Sequence, residues 1–191
     1  MADTPAATRT KPWHRHFETI GSISAIVVGV AALLVSLDQS RVMREEVRAS
    51  VWPALEVDRI FQTEEGVLTL GVRVQNAGVG PALVRRVTVF DGEDFIETPE
   101  QLAQRLPAYE TYTYAGILGR VIAAGDTWTA FQIGYGPDSG IEPEQLIEQV
   151  GAAWRIEVCY CSTLGDCWVT DEGSTSPRAI ESCEGPAASR F

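Results

Sequence analysis

The sequence predicts a mainly β protein: an antiparallel β-sandwich with two short helical insertions, preceded by one long N-terminal helix that acts as membrane span and stalk. Three observations predict it. Residues 19–37 hold no charged side chain across 19 positions, bounded by Glu18 and Asp38. Beyond Pro53 the apolar spacing changes from helical to alternating. About seven short apolar runs then follow, separated by Gly, Pro, Asn and Asp turn residues, which is the pattern of a sandwich.

A helix over residues 19–37 would be roughly 29 Å long, close to the hydrocarbon thickness of a bilayer. The run is too long for the apolar core of a cleaved signal peptide. It flows into Asp38-Gln39-Ser40-Arg41 without a good cleavage site, so it is expected to remain as a signal anchor. Residues 1–18 are expected to form a tail without structure, with Trp13 and Phe17 at headgroup level. Gly21, Ala25 and Gly29 recur every fourth position and share one helix face, a candidate surface for helix association.

The helix is expected to continue as a stalk over residues 38–51. Asp38 with Arg41, Arg41 with Glu45, and Glu45 with Arg48 stand at supporting spacings. Met43, Val47 and Val51 make a thin apolar stripe along it. Pro53 disfavours helix at Trp52, so the stalk should end there and the sandwich should occupy residues 52–173.

Within the sandwich, a first strand starts at Leu55 and Val57 and slips in phase before Ile60. Residues 67–74 alternate and are β-branched, giving a strand. Asn76, Gly78, Gly80 and Pro81 read as a structural turn in which the glycines supply positive φ. Residues 83–90 then form the return strand, closed by Asp91-Gly92. Short helices are expected over residues 99–106 and 143–150. Tyr109, Tyr112 and Tyr114 fall in an irregular strand or loop. Strands are expected over residues 127–135, 153–161 and 167–171, and residues 174–191 should be a loose tail, tied down only if Cys183 is bonded.

The run VRVQNAGVGPALVRRVTVF, residues 72–90, combines alternating apolars with N-x-G-x-G-P-A between them. With the N-terminal anchor and the Trp-Pro junction, it resembles the extracytoplasmic immunoglobulin-like domains, CARDB-like, of single-pass bacterial membrane proteins. The resemblance covers about half of the domain. It implies an immunoglobulin-like sandwich in a non-catalytic adhesion, scaffolding or accessory role.

Charge and composition exclude several chemistries. The net charge is −11. Residues 1–51 carry +1, so the remainder carries −12, and no lysine follows Lys11. Such a domain repels phosphate backbones, and no nucleic acid is expected as partner. Both histidines, His14 and His16, precede the apolar run, so the domain has none. Ser-His-Asp, Cys-His and imidazole-metal chemistry are thereby removed. No catalytic residue, cofactor or metal is expected, and the protein is not expected to be an enzyme. Remote carboxylate pairs would serve a carboxylate-dependent periplasmic enzyme, the competing reading. A ligand-sensing subunit of a membrane complex is a further one.

The basic residues flanking the span tie, three (Arg9, Lys11, Arg15) against three (Arg41, Arg44, Arg48). Cysteine breaks the tie. All four, Cys159, Cys161, Cys167 and Cys183, follow the span, and an even cluster suits disulfides outside the cytosol. The expected place is the bacterial inner membrane, with the N-terminus cytoplasmic and the C-terminal domain periplasmic. If the hairpin turn centres on Leu164, Cys161 faces Cys167, and Cys159 is left for Cys183. The rival is a four-thiolate zinc site, although the C-x-C-x5-C spacing is not that of a zinc knuckle. Asp91, Glu93 and Asp94, and the acidic residues from Asp138 to Glu144, could supply oxygen ligands for Ca²⁺, but neither group matches an EF-hand loop. The expected partners are the lipid bilayer and either a membrane or periplasmic protein or a second copy of the chain.

Overall fold

The computed structural model describes residues 13–174, 176–185 and 188–191. They divide into two compact units, one ending at Val47 and the other running from Arg48 to Phe191.

The first unit belongs to one helix, α1 (Trp13–Ser50). It starts six residues before the apolar run, so residues 13–18 are helical and not an unstructured tail. The expectation for residues 1–12 lies outside the described residues. Ile20–Ser50 is long and apolar enough to cross a membrane. Its apolar side chains, Ile26, Val28 and Leu34 among them, stand more than half exposed.

The second unit is mainly β. Among the described residues, ten strands form two antiparallel sheets. β1 (Leu55–Glu64), β2 (Val67–Asn76), β7 (Thr127–Tyr135) and β5 (Thr111–Tyr114) make the first, in the order β1-β2-β7-β5. The second runs β10 (Arg178–Ile180), β9 (Cys167–Asp171), β8 (Trp154–Cys161), β3 (Ala82–Asp91), β4 (Asp94–Ile96), with β6 (Val121–Ile122) also on β3. Helices α2 (Pro99–Ala103) and α3 (Pro143–Ala153) are the two insertions.

Local chemistry explains most elements. β1 and β2 join through Glu65-Gly66, both at positive φ, the conformation of a tight hairpin turn. Their register is unbroken from Leu55 to Glu64, so the expected slip before Ile60 is absent. α2 begins with a capping box: Thr98 Oγ1 accepts from the Gln101 amide, and Gln101 Oε1 accepts from the Thr98 amide. It ends at Ala103, shorter than expected, with Leu102 and Ala103 buried. α3 starts on Pro143, where the missing N–H costs nothing, and buries Leu146 and Val150 one turn apart.

Both sheets supply one core. Leu68, Leu70, Val72 and Val74 of β2 meet Phe131, Ile133 and Tyr135 of β7, and Ile156, Val158 and Tyr160 of β8. The β3–β8 register shifts between Val84 and Arg86. That irregularity turns the alternation by one residue, so Val87 and Val89 stay in the core with Ala82 and Val84. The Tyr160 hydroxyl accepts a hydrogen bond from the Leu55 amide at 3.1 Å, linking the two sheets through a buried polar group.

One further expectation fails. Residues 83–90 are a strand but not the return strand of β2: β2 and β3 lie in different sheets. The turn chemistry was legible, whereas the partner was decided by distant residues, β7 for β2 and β8 for β3. The segment after residue 173 is tied down, as expected with Cys183 bonded. β10 pairs with β9, Cys183 is bonded to Cys159, and Ser189 and Phe191 are buried. The Ser189 amide donates to Val87 O and its hydroxyl to Ile96 O, while the Phe191 ring packs edge-on to Phe131. Seventeen residues of Ser, Pro, Gly and Ala character concealed one aromatic anchor.

Candidate functional site

Four places concentrate chemistry in the domain. The first is the motif at residues 76–81. Asn76 is fully buried. Its Nδ2 donates to Gly80 O at 2.8 Å and Ile122 O at 3.0 Å. Its Oδ1 accepts from the Ala54 amide at 3.2 Å and the Gly78 amide at 3.0 Å. Both donors and both acceptor positions of the amide are therefore used. The Val79 and Gly80 amides donate to Trp52 O, and the Ala77 amide to Ala54 O. Gly78 and Gly80 do not have positive φ, contrary to expectation. They are glycines because the backbone of residues 51–54 passes against them: a Cβ on Gly80 would fall on the Val51 carbonyl, and one on Gly78 on the Ala54 amide. The motif is a clamp on the chain segment that enters the domain.

The second place is the cysteine cluster. β8 and β9 pair with Cys161 opposite Cys167, Tyr160 opposite Trp168 and Cys159 opposite Val169, the register of a turn centred on Leu164. Cys161 is disulfide-bonded to Cys167, and Cys159 to Cys183. Cys161 Sγ and Cys183 Sγ, from different disulfides, lie 3.8 Å apart.

The third is a groove of about 480 Å³ lined by Arg48, Ala49, Trp52, Asp166, Trp168 and Ile180. Trp52 is 43% exposed. Trp168 stacks on Tyr160 behind it. Arg48 Nε and Asp166 pair at 3.5 Å with both side chains largely in solvent, a contact of small worth.

The fourth comprises the acidic and tyrosine groups. Asp91 and Asp94, considered as calcium ligands, instead share Arg105, whose Nη1 donates to them at 3.0 and 2.9 Å. Of the residues from Asp138 to Glu144, Glu142 takes the N-cap position of α3. Burial raises the Glu172 carboxyl above its usual range, although the Arg59 guanidinium pairs with it and opposes the shift. Arg59 also donates to Trp154 O at 2.8 Å, and this hydrogen bond fastens β1 to β8. Tyr112 lies half-buried, the Tyr109 ring tilts against it, and the Tyr114 hydroxyl donates to Arg190 O. Burial pushes the phenols of Tyr112 and Tyr135 up to about 12. Trp154 is a core residue, while Trp128 is half-buried beneath the Arg120 guanidinium, 4.1 Å from its ring centroid.

Sequence reasoning missed the clamp function of Asn76, the capping box and the burial of Phe191. The capping box had a signal, Thr98-x-x-Gln101. The clamp had one in the Asn76 amide standing just before two glycines, Gly78 and Gly80.

In α1, Gly21, Ala25 and Gly29 are exposed, and a Cβ on either glycine would meet open space. No family model matches the chain, and neither the curated proteins nor the solved structures contain a match to it.

Proposed function

We propose that the chain is a single-pass inner-membrane protein whose periplasmic, immunoglobulin-like sandwich serves as an accessory or scaffolding module for another membrane or periplasmic protein. The observation that carries the anchor is the bare surface of α1: none of its most apolar 18-residue window is buried within the chain. Apolar side chains exposed along the whole circumference of a helix need a nonaqueous cover, and a bilayer supplies one. The two disulfides support a domain on the oxidising side.

A protein partner is supported by the stretch after Asp38. Val42, Met43 and Val47 are each at least half exposed. They alternate with Arg41, Arg44, Glu45, Glu46 and Arg48, which hydrocarbon does not tolerate. A protein surface can cover the apolar stripe and leave the charges in water. The histidine-free, acidic composition of the domain fits a binding module better than a hydrolase.

The test is photocrosslinking in native membranes from a photoreactive residue in place of Met43. The reading predicts one discrete adduct with a membrane or periplasmic protein or a second copy. Adducts with lipid alone would overturn the accessory role.

A further inference from the structure

We propose that β10 takes an extended segment of a partner protein as an added strand, with one apolar side chain of that segment seated in the groove beside Trp52 and Trp168. The inference rests on the reading of the domain as a binding module, and it names the chemistry of what the module binds.

Two independent observations meet at this edge. The first is the backbone. β10 closes one end of the second sheet and pairs on one side alone, with β9. Among the described residues, no backbone hydrogen bond reaches residues 178–181 from the other side. Open N–H and C=O groups along a strand edge are completed by an extended chain, whatever its sequence. An edge of three residues offers few such bonds, so tight binding needs a side-chain contact as well.

The second observation supplies that contact. Ala179 is opposite Trp168 in the β9–β10 register, and Trp168 is opposite Tyr160 in the β8–β9 register. Opposed residues point to the same side of a sheet, so Ala179 and Trp168 share the side of the core residue Tyr160. A strand added to β10 would lie about 4.8 Å further out, with its residue opposite Ala179 pointing to that side too. Ala179 ends at a methyl group and leaves the half-buried Trp168 ring within reach across it. Trp52, 43% exposed, lines the same groove of about 480 Å³. The incoming side chain meets two indoles, a site that suits an aromatic or branched residue.

Charge sets the flanks. On the rim, Arg48 is already paired with Asp166. Glu181 stands exposed there with no ion-pair partner among the described residues, in a strongly acidic domain. Basic residues beside the apolar one complement this rim. The segment that fits is therefore extended, with apolar and basic residues in alternation.

The test uses the full chain in detergent and a labelled, acetylated hexapeptide, Lys-Val-Lys-Phe-Lys-Val, followed by fluorescence anisotropy. Expected are saturable one-to-one binding and slowed amide hydrogen exchange over residues 178–181. Ala179→Phe fills the groove from within and should weaken binding at least about tenfold, and Trp52→Ala about tenfold. Both side chains are exposed, so neither change removes a core residue. Glu181→Lys should weaken binding about threefold at low salt and less at high salt. The peptide Lys-Lys-Lys-Val-Phe-Val keeps the charge but loses the alternation, and should bind at least about tenfold more weakly. Absence of saturable binding, equal binding of the two peptides, unchanged binding in Ala179→Phe, or exchange protection confined to other residues would each overturn the site. Crosslinking from Met43 reports on the stalk and the titration on the domain: a discrete Met43 adduct without peptide binding removes the edge site and leaves the accessory reading standing.

Discussion

The segment that enters the domain and the segment that closes it are held differently: only the second has a covalent anchor. At residues 52–54 the incoming chain carries no covalent tie beyond its own backbone: Asn76 Oδ1 accepts from the Ala54 amide, and the Ala77, Val79 and Gly80 amides donate to the Ala54 and Trp52 carbonyls. After β10 the chain is held by a covalent bond, Cys159–Cys183, by one buried aromatic, Phe191, and by hydrogen bonds of the buried Ser189 to Val87, Val89 and Ile96. The entry depends on Asn76, whose one amide serves four partners, so losing it strands several of them. The exit depends on two separable anchors. Damage should therefore be concentrated at the entry and shared at the exit.

The largest effect should come from Asn76→Ala. It leaves the Ala54 and Gly78 amides and the Gly80 and Ile122 carbonyls without their buried partner, at a combined cost of roughly 4 kcal/mol. Chemical denaturation would measure it, and a cost below roughly 1 kcal/mol would mean that water replaces the amide freely. Next is Phe191→Ala, which empties a core position beside Phe131 and should cost about 3–4 kcal/mol. The same measurement on the disulfide-reduced chain should give a similar increment if the two exit anchors are independent.

Replacing Cys159 and Cys183 together by Ser should cost about 3 kcal/mol, from release of a loop with sequence separation 24. The Cys161, Cys167 pair closes a separation of only 6 and should cost about 2 kcal/mol when replaced by Ser. The reverse ranking, measured by thermal unfolding, would place the main tether on the hairpin instead of the exit.

The smallest effect lies outside the usual pH range. Burial raises the Tyr135 and Tyr160 phenols from 10.0 to about 12. The fold holds their protons where the unfolded chain has released them. Their contribution is complete below pH 10 and is lost as pH rises through about 12. Tyrosinate absorbance should then appear together with unfolding. Titration of both phenols at their ordinary value without unfolding would show that water reaches them.

Alternation and hydropathy carried much of the fold. The apolar run announced α1, and the strands over residues 127–135 and 167–171 were legible because each keeps a regular period up to a turn residue. The cysteine register followed from a single turn centre, since side chains opposite one another on paired strands are set by arithmetic. Partner choice was not legible. The turn at residues 76–81 shows where β2 ends but cannot show that β3 crosses to the other sheet, because that depends on β7 and β8 more than 40 residues on. Phe191 was hidden for a related reason: one aromatic in a polar segment has no period, and only the cavity beside Phe131 gives it a place. The clamp was visible as a motif but misassigned, since glycine serves close approach as readily as positive φ.

The anchored topology is the central claim, and protease treatment of spheroplasts followed by carbonate extraction tests it most directly. The account predicts that the intact chain stays in the membrane pellet. Protease added outside should cut near Trp52 and release a disulfide-bonded fragment carrying Cys159 to Cys183. A chain recovered in the soluble fraction, or a domain protected until the membrane is dissolved, would contradict it.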